Sequence, residues 1–239
     1  MERTETLWPG GARLFYDTAL FPPGTDSFAL GYFAAPDRRA RVCDLGCGTG
    51  LLGALLLSRR PELRLYNVEI SPRALALCEQ TFAANGWQGE FFCGDLRERS
   101  AMPGAGTMDY VLSNPPYFRA GSGAPSPDPA RQSARSEQSC TLQEVCAAAG
   151  YLLRWGGRFA LVHRPERLTD ALCALRGAGM EPKRLRFVCP RAEAAPSIVL
   201  LEARRGGKSG LTVEPPLLIG SKEWDAVYFR TRPDDGHPA

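Results

Sequence analysis

Three glycines at alternate positions, Gly46, Gly48 and Gly50, interrupt the segment Asp44-Leu45-Gly46-Cys47-Gly48-Thr49-Gly50 between two apolar runs. No other feature constrains the fold as tightly. Upstream, Arg41–Leu45 has the length and apolar character of a buried strand, and downstream Leu51–Arg59 has those of a helix. Glycine at every second residue lets the backbone turn sharply and brings it close to a ligand. The spacing differs from the Gly-x-Gly-x-x-Gly of dinucleotide sites, because Leu51 stands where the third glycine would pack. No Gly-Lys-Ser/Thr closes this turn, so it is not a P-loop.

Strand and helix patterns then alternate along the chain. Arg64–Glu69 reads as a strand, and Ser71 caps a helix over Pro72–Asn85 with proline in its first turn. Gly89–Cys93 and Met108–Ser113 read as strands, Leu142–Arg154 as a helix, Arg158–His163 as a strand and Pro165–Gly177 as a helix. Arg184–Cys189 and Ser197–Ala203 form a closing antiparallel hairpin. This alternation predicts an α/β fold with a doubly wound, mostly parallel sheet, helices on both faces and the hairpin at its C-terminal end. Three parts are expected: an N-terminal extension over 1–40, the body over 41–220, and a divergent, partly disordered tail over 221–239. Within the extension, Pro22-Pro-Gly-Thr25-Asp26-Ser27 predicts a turn and a helix capped near Asp26 or Ser27. Residues 119–137, rich in Gly, Ser, Pro and Ala, predict a long mobile loop beside the site.

Open α/β sheets bind ligands beyond the carboxyl ends of their strands. Asp44, Glu69, Asp95 and Asn114 end four successive predicted strands. A strand-end acid on its own can be a mere helix cap, but four polar residues in register with a glycine loop describe a site. Asn114-Pro115-Pro116-Tyr117 has chemistry of its own. Two prolines fix both φ angles and remove two backbone donors, leaving the Asn114 side-chain carbonyl and the Pro115 backbone carbonyl as acceptors. An exocyclic amino group offers two N–H donors, and Tyr117 could lie flat on the ring that carries it. Asn-Pro-Pro-Tyr resembles the catalytic tetrapeptide of methyltransferases acting on planar, conjugated nitrogens. Asp-x-Gly-x-Gly-x-Gly resembles the first motif of S-adenosylmethionine-dependent methyltransferases, whose ligand lacks phosphate and carries positive charge suited to Asp44. That resemblance implies a class I, Rossmann-like, seven-stranded fold, with Asp44, Gly46, Gly48, Gly50, Glu69, Asp95 and Asn114 around the cofactor. Glu69 would take the ribose hydroxyls and Asp95 the adenine amino group.

Charge bears on the substrate. The net charge is +3, but between Arg154 and Lys208 twelve Lys and Arg face five Asp and Glu, a local excess of 12 − 5 = 7. Clusters such as Arg164/Arg167, Lys183/Arg184/Arg186/Arg191 and Arg204/Arg205/Lys208 read either as a phosphate-tracking surface or as an ordinary solvated face. Val162-His163-Arg164-Pro165-Glu166-Arg167-Leu168, Pro182-Lys183-Arg184-Leu185-Arg186-Phe187-Val188 and the run Lys208–Leu217 resemble bacterial tRNA (adenine-N6)-methyltransferases that act beside the anticodon of valine tRNA. The resemblance covers roughly residues 20–220. It implies that Asn114, Pro115 and Tyr117 hold the target adenine, that Asp26 borders the site, and that Arg164, Arg167, Lys183, Arg184 and Arg186 grip tRNA. Ser136 and Cys189 replace histidines common in that family, and the stretch after Gly220 matches poorly. The rival readings are a methyltransferase acting on a glutamine amide of a release factor, for which about 40 N-terminal residues are short, and a non-catalytic RNA-binding protein. Eight cysteines without a Cys-x-x-Cys pair read as reduced thiols, with Cys43, Cys78, Cys146, Cys173 and Cys189 in apolar patterns. Two histidines and no ligand spacing argue against a metal. With no signal or membrane-length apolar run, the expectation is a soluble, cytoplasmic monomer.

Overall fold

Residues 2–18, 23–115 and 140–229 are described by the computed structural model of the chain. The main sheet runs, in spatial order, β5 (Gly89–Cys93), β4 (Arg64–Glu69), β3 (Arg41–Leu45), β6 (Met108–Ser113), β7 (Leu153–His163), β9 (Ile198–Arg205) and β8 (Met180–Cys189). These are the seven expected strands. Two-residue strands β10 (Thr212–Val213) and β11 (Leu217–Leu218) add to it alongside β8. The pairs β3–β4, β4–β5, β3–β6 and β6–β7 are parallel, whereas β9 runs antiparallel to both β7 and β8. From β3 the chain builds outward to β5 and then crosses back to β6. The strand order therefore reverses between β3 and β6, where doubly wound sheets open a crevice.

Successive strand residues point to opposite faces, and both faces are covered. Val42, Leu65, Leu112 and Val162 pack with helices α1 (Thr25–Phe33), α2 (Leu51–Arg59) and α3 (Pro72–Ala84). Cys43, Leu45, Val111 and Leu161 pack with α4 (Leu142–Leu152) and α5 (Leu168–Gly177). Local chemistry sets several helix starts. Ser71 Oγ accepts from the Ala74 amide at 3.3 Å, and Thr141 with Glu144 forms a reciprocal capping box. Pro165–Arg167 forms a single 3₁₀ turn, so the helix expected from Pro165 begins at Leu168.

Three local features differ from expectation. Residues 2–17 make an antiparallel hairpin, β1 (Glu2–Thr6) and β2 (Arg13–Asp17), docked on α3. There Thr81 Oγ1 accepts from the Phe15 amide at 3.1 Å, and Asn85 Nδ2 donates to the Arg13 carbonyl at 2.7 Å. Helix α1 starts at Thr25 with Gly24 as its N-cap, and neither Asp26 nor Ser27 caps it. Finally, Lys222–Val227 is a helix, α6, capped by Ser221 and burying Trp224 and Val227, so residues 221–229 are part of the packed body. Among the cysteines, Cys43, Cys78, Cys146 and Cys189 are buried as expected, but Cys173 is exposed. No described helix is long and apolar enough to cross a membrane.

Candidate active site

At the carboxyl ends of β3, β4, β5 and β6 lies a cavity of about 520 Å³, closed on one side by the start of α1. That volume falls within the range of small-molecule sites. Glu69, Asp95 and Asn114 line it from three strand ends, with Gly46 and Gly48 from the glycine loop and Asp26 and Ser27 from α1. Apolar walls come from Leu45, Val68, Ile70 and Leu96.

The glycine loop is held rather than slack. Gly46 and Cys47 donate their amides to the Val68 carbonyl at 2.9 and 3.0 Å, which ties the turn to the end of β4. Gly46, Gly48 and Gly50 have φ of +77°, +55° and +83°. At Gly50 the absence of a side chain is doubly required, since a Cβ there would lie 2.6 Å from Cys78 Sγ.

Glu69 is anchored through both oxygens. Oε2 accepts from the Gly48 amide and Oε1 from the Ser71 amide, each at 2.9 Å. Burial pushes its carboxyl up, while those amide bonds pull it back down. Each oxygen keeps a lone pair that a ligand hydroxyl can use. Asp95 carries a partner that the sequence does not announce. Arg97 Nε donates to both of its oxygens at 2.9 Å, and this hydrogen bonding holds the Asp95 carboxyl below the usual range. Arg97 itself lines the cavity.

Asp44 departs from its expected role. It shares a sheet face with Val42, beneath the start of α2, is fully buried, and does not line the cavity. Its carboxylate oxygens make no close hydrogen bond, and only the Gly53 amide, at the start of α2, gives them partial relief. Burial, followed by the charge of Glu69, pushes its carboxyl up to about 8. A carboxyl so raised and sealed under the loop supports the turn from below.

Asn114 stands where β6 ends. Ser113 Oγ donates to the Leu45 carbonyl at 2.6 Å and pins the strand end, and Asn114 Nδ2 donates to Ser27 Oγ at 2.9 Å. The bond to Ser27 uses one of the two amide hydrogens and orients a carboxamide that lines the cavity. Pro115 also lines the cavity. Pro116, Tyr117, the loop over 119–137 with Ser136, and the tail after Arg232 lie outside the described residues.

The five basic residues do not form one track. Arg164 and Arg167 follow β7, at the same end of the sheet as the cavity. Arg164 is exposed and Arg167 pairs with Asp170. Lys183 lies toward the opposite end of the sheet and donates to the Lys208 carbonyl at 3.0 Å. Arg184 donates to Glu214 at 2.6 Å, lies 3.4 Å from the buried Glu202 and stacks over Phe33. Arg186 grips Glu223 through both terminal nitrogens at 2.7 Å. The charges of Arg184 and Arg186 are thus spent inside the protein, which removes them from the expected phosphate grip.

Support from residues 221–229 is a feature that the sequence reading missed. Tyr228 stacks on Phe28 at 4.4 Å and its hydroxyl lies 3.3 Å from Thr25 Oγ1, so this segment braces the start of α1. Arg59, on α2, donates to the Ala226 and Val227 carbonyls and lies over Phe229. Among the described residues no cluster of three or more His, Cys, Asp or Glu could hold a metal ion.

Known proteins resemble the chain in sequence and in fold. A tRNA1(Val) (adenine(37)-N6)-methyltransferase of Porphyromonas gingivalis is 33% identical over 155 residues, 62% of this chain and 60% of that protein. The chain thus spans less than two thirds of that relative's length. A protein of the same name from Aeromonas hydrophila is 30% identical over 194 residues, 80% of each chain. Among solved structures, an Agrobacterium tumefaciens protein described as a predicted O-methyltransferase superposes with a TM-score of 0.71 at 19% identity, over 86% of this chain and 96% of that one, a likeness of fold alone. The methyltransferase small domain family matches residues 26–174, and with more than half of its length so matched the chain belongs to that family.

Proposed function

We propose that the protein is an S-adenosylmethionine-dependent methyltransferase that modifies the N6 amino group of an adenine in tRNA, in the cytoplasm. Asn114 is the observation that carries this reading: a carboxamide that lines the cavity, oriented by its hydrogen bond to Ser27, whose carbonyl oxygen is an acceptor by its chemistry. A carbonyl acceptor suits an amino group and is wrong for a carbonyl or an ether oxygen. The names of the curated relatives support tRNA and adenine as the target.

The residues fit the cofactor. When bound, S-adenosylmethionine supplies an electrophilic methyl group on a sulfonium. Glu69, with both oxygens fixed by backbone amides, would accept from the ribose hydroxyls, and Asp95 from the adenine amino group. No side chain caps the start of α1, and its first-turn amides suit the carboxylate end of the ligand. Asn114 Oδ1 and the Pro115 carbonyl accept the two hydrogens of the substrate amine, which localises the nitrogen lone pair. Tyr117 is kept as the stacking partner on the strength of the tetrapeptide. No side chain is assigned as a base. The walls of the cavity exclude water and fix the approach, and positioning of this kind accounts for much of such catalysis. Arg164 and Arg167, beside the cavity end of β7, are the candidate contacts to RNA phosphate.

The test is methyl transfer from labelled cofactor to total tRNA and to total protein, followed by nucleoside and amino-acid analysis. N6-methyladenosine in tRNA is expected, and methylglutamine with unlabelled tRNA would overturn the reading. Asn114→Ala should cut turnover by about 10²-fold or more, the scale for losing one polarising hydrogen-bond partner. Its cofactor affinity should stay within a few-fold of the unaltered protein. Near-normal turnover would remove Asn114 from the chemistry.

A further inference from the structure

At the end of the sheet opposite the cavity, β7 presents an aromatic ring that the core does not use. Trp155 is 75% exposed, more than any other large hydrophobic side chain among the described residues. It lies six residues before Leu161, whose partner across the sheet is Ser113, so it is displaced from the cavity end by roughly 20 Å at about 3.3 Å per residue. Its ring rests against Gly206, where an added Cβ would come within 2.2 Å of the indole. Backbone holds one side of the ring, and much of the rest faces solvent.

Cations lie at the same end of the sheet. Arg204 is exposed, and its Nε donates to the Gly156 carbonyl at 3.2 Å. Arg205 donates to the Leu153 carbonyl, and Lys183 to the carbonyl of the exposed Lys208. None of these four side chains has a carboxylate partner among the described residues, whereas neighbouring Arg154 and Arg176 are neutralised by Asp109 and Glu181. Gly206, under the indole, leads on to Lys208, whose carbonyl accepts from Lys183, so ring and charges gather at this end of the sheet.

We propose that this patch is a second RNA-contact surface: Lys183, Arg204, Arg205 and Lys208 meet phosphates, and an unpaired base stacks on Trp155. The partner rests on the reading of the substrate as RNA. Uncompensated cations beside an open π-face match a polyanion that carries π-faces of its own. A second copy of the chain would set four like charges against four, and a neutral protein surface would leave the charges unanswered. The patch also supplies the phosphate contacts that Arg184 and Arg186, locked in internal pairs, cannot.

The test titrates the full-length protein with a tRNA transcript and with a ten-residue single-stranded oligouridylate, while methyl transfer to the transcript is measured in parallel. Trp155→Ala should weaken oligouridylate binding roughly 5- to 150-fold, the scale of one base–aromatic stack, and Trp155→Phe should keep most of the affinity. Lys208→Gln should flatten the log–log salt dependence by about 0.7. Both side chains are exposed, so folding is expected to survive, and an unchanged melting temperature verifies it. Wild-type affinity and salt slope in Trp155→Ala and Lys208→Gln would overturn the proposal. So would a dimer that Trp155→Ala dissociates with no change in RNA affinity. Label transferred to tRNA with binding indifferent to Trp155 removes only this surface. RNA held through Trp155 with no label transferred removes only the methylation reading.

Discussion

Replacing Asp44 by asparagine separates two roles that a strand-end acid can play. Asp44 is fully buried, its oxygens make no close hydrogen bond beyond partial relief from the Gly53 amide, and the side-chain oxygen of its cross-strand neighbour Asn67 has no partner either. A site with acceptors beside acceptors calls for a proton. Burial first and Glu69 second raise the Asp44 carboxyl from an ordinary 3.8 to about 8. Because the folded-state value is the higher one, the stabilisation is complete below about pH 4 and is lost as pH rises through about 8. That rise sets a ceiling of about 6 kcal/mol, which relaxation around a buried charge lowers. Urea unfolding at half-unit steps from pH 5 to 8 should therefore show the unaltered protein weakening relative to Asp44→Asn. The variant should be the more stable of the two at pH 8. Glu69, also raised by burial, is present in both proteins, so the difference reports Asp44 together with its coupling to Glu69. Cofactor affinity by calorimetry at pH 7 should stay within a few-fold, because the side chain does not line the cavity. Parallel pH curves would show that Asp44 is already ionised in the folded protein, a loss of affinity beyond tenfold would show that it meets the ligand, and either result refutes the reasoning.

Glu69→Gln should weaken cofactor binding by roughly 10- to 150-fold in calorimetry, because a charged acceptor bound to two amides commonly contributes about 1.5–3 kcal/mol. Gly50→Ala should lower stability in urea by at least about 1–2 kcal/mol for left-handed backbone, with the contact at Cys78 Sγ adding to it; an unchanged midpoint would contradict the packing. Arg186→Gln should cost about 1 kcal/mol of stability, discounted because Glu223 is 41% exposed, and should leave the salt dependence of RNA binding unchanged.

How much of this was legible in the sequence depends on the range of the interaction. Strands β3 to β6 and helix α2 have the bounds that their apolar runs predict, because glycine turns, proline and caps act within a few residues. The strand-end constellation was legible for the same reason: each polar residue follows directly on its own apolar run. The direction in which Asp44 points was not, since it depends on which face of β3 receives α2. Nor were the partners of the basic residues. Glu202, Glu214 and Glu223 reach Arg184 and Arg186 only through β9 and the packing of the C-terminal segment, and charge counting sees arginines without seeing the acids that neutralise them. The same limit hid the brace on α1. Thr25 and Tyr228 meet across most of the chain, and Arg59 joins α2 to the end of α6. Ser27, which orients Asn114, lies in the first turn of the helix so braced. The carboxyl-terminal segment, poorest in family resemblance, therefore holds in place the helix that aims Asn114, and its packing belongs to the site as much as the strand ends do.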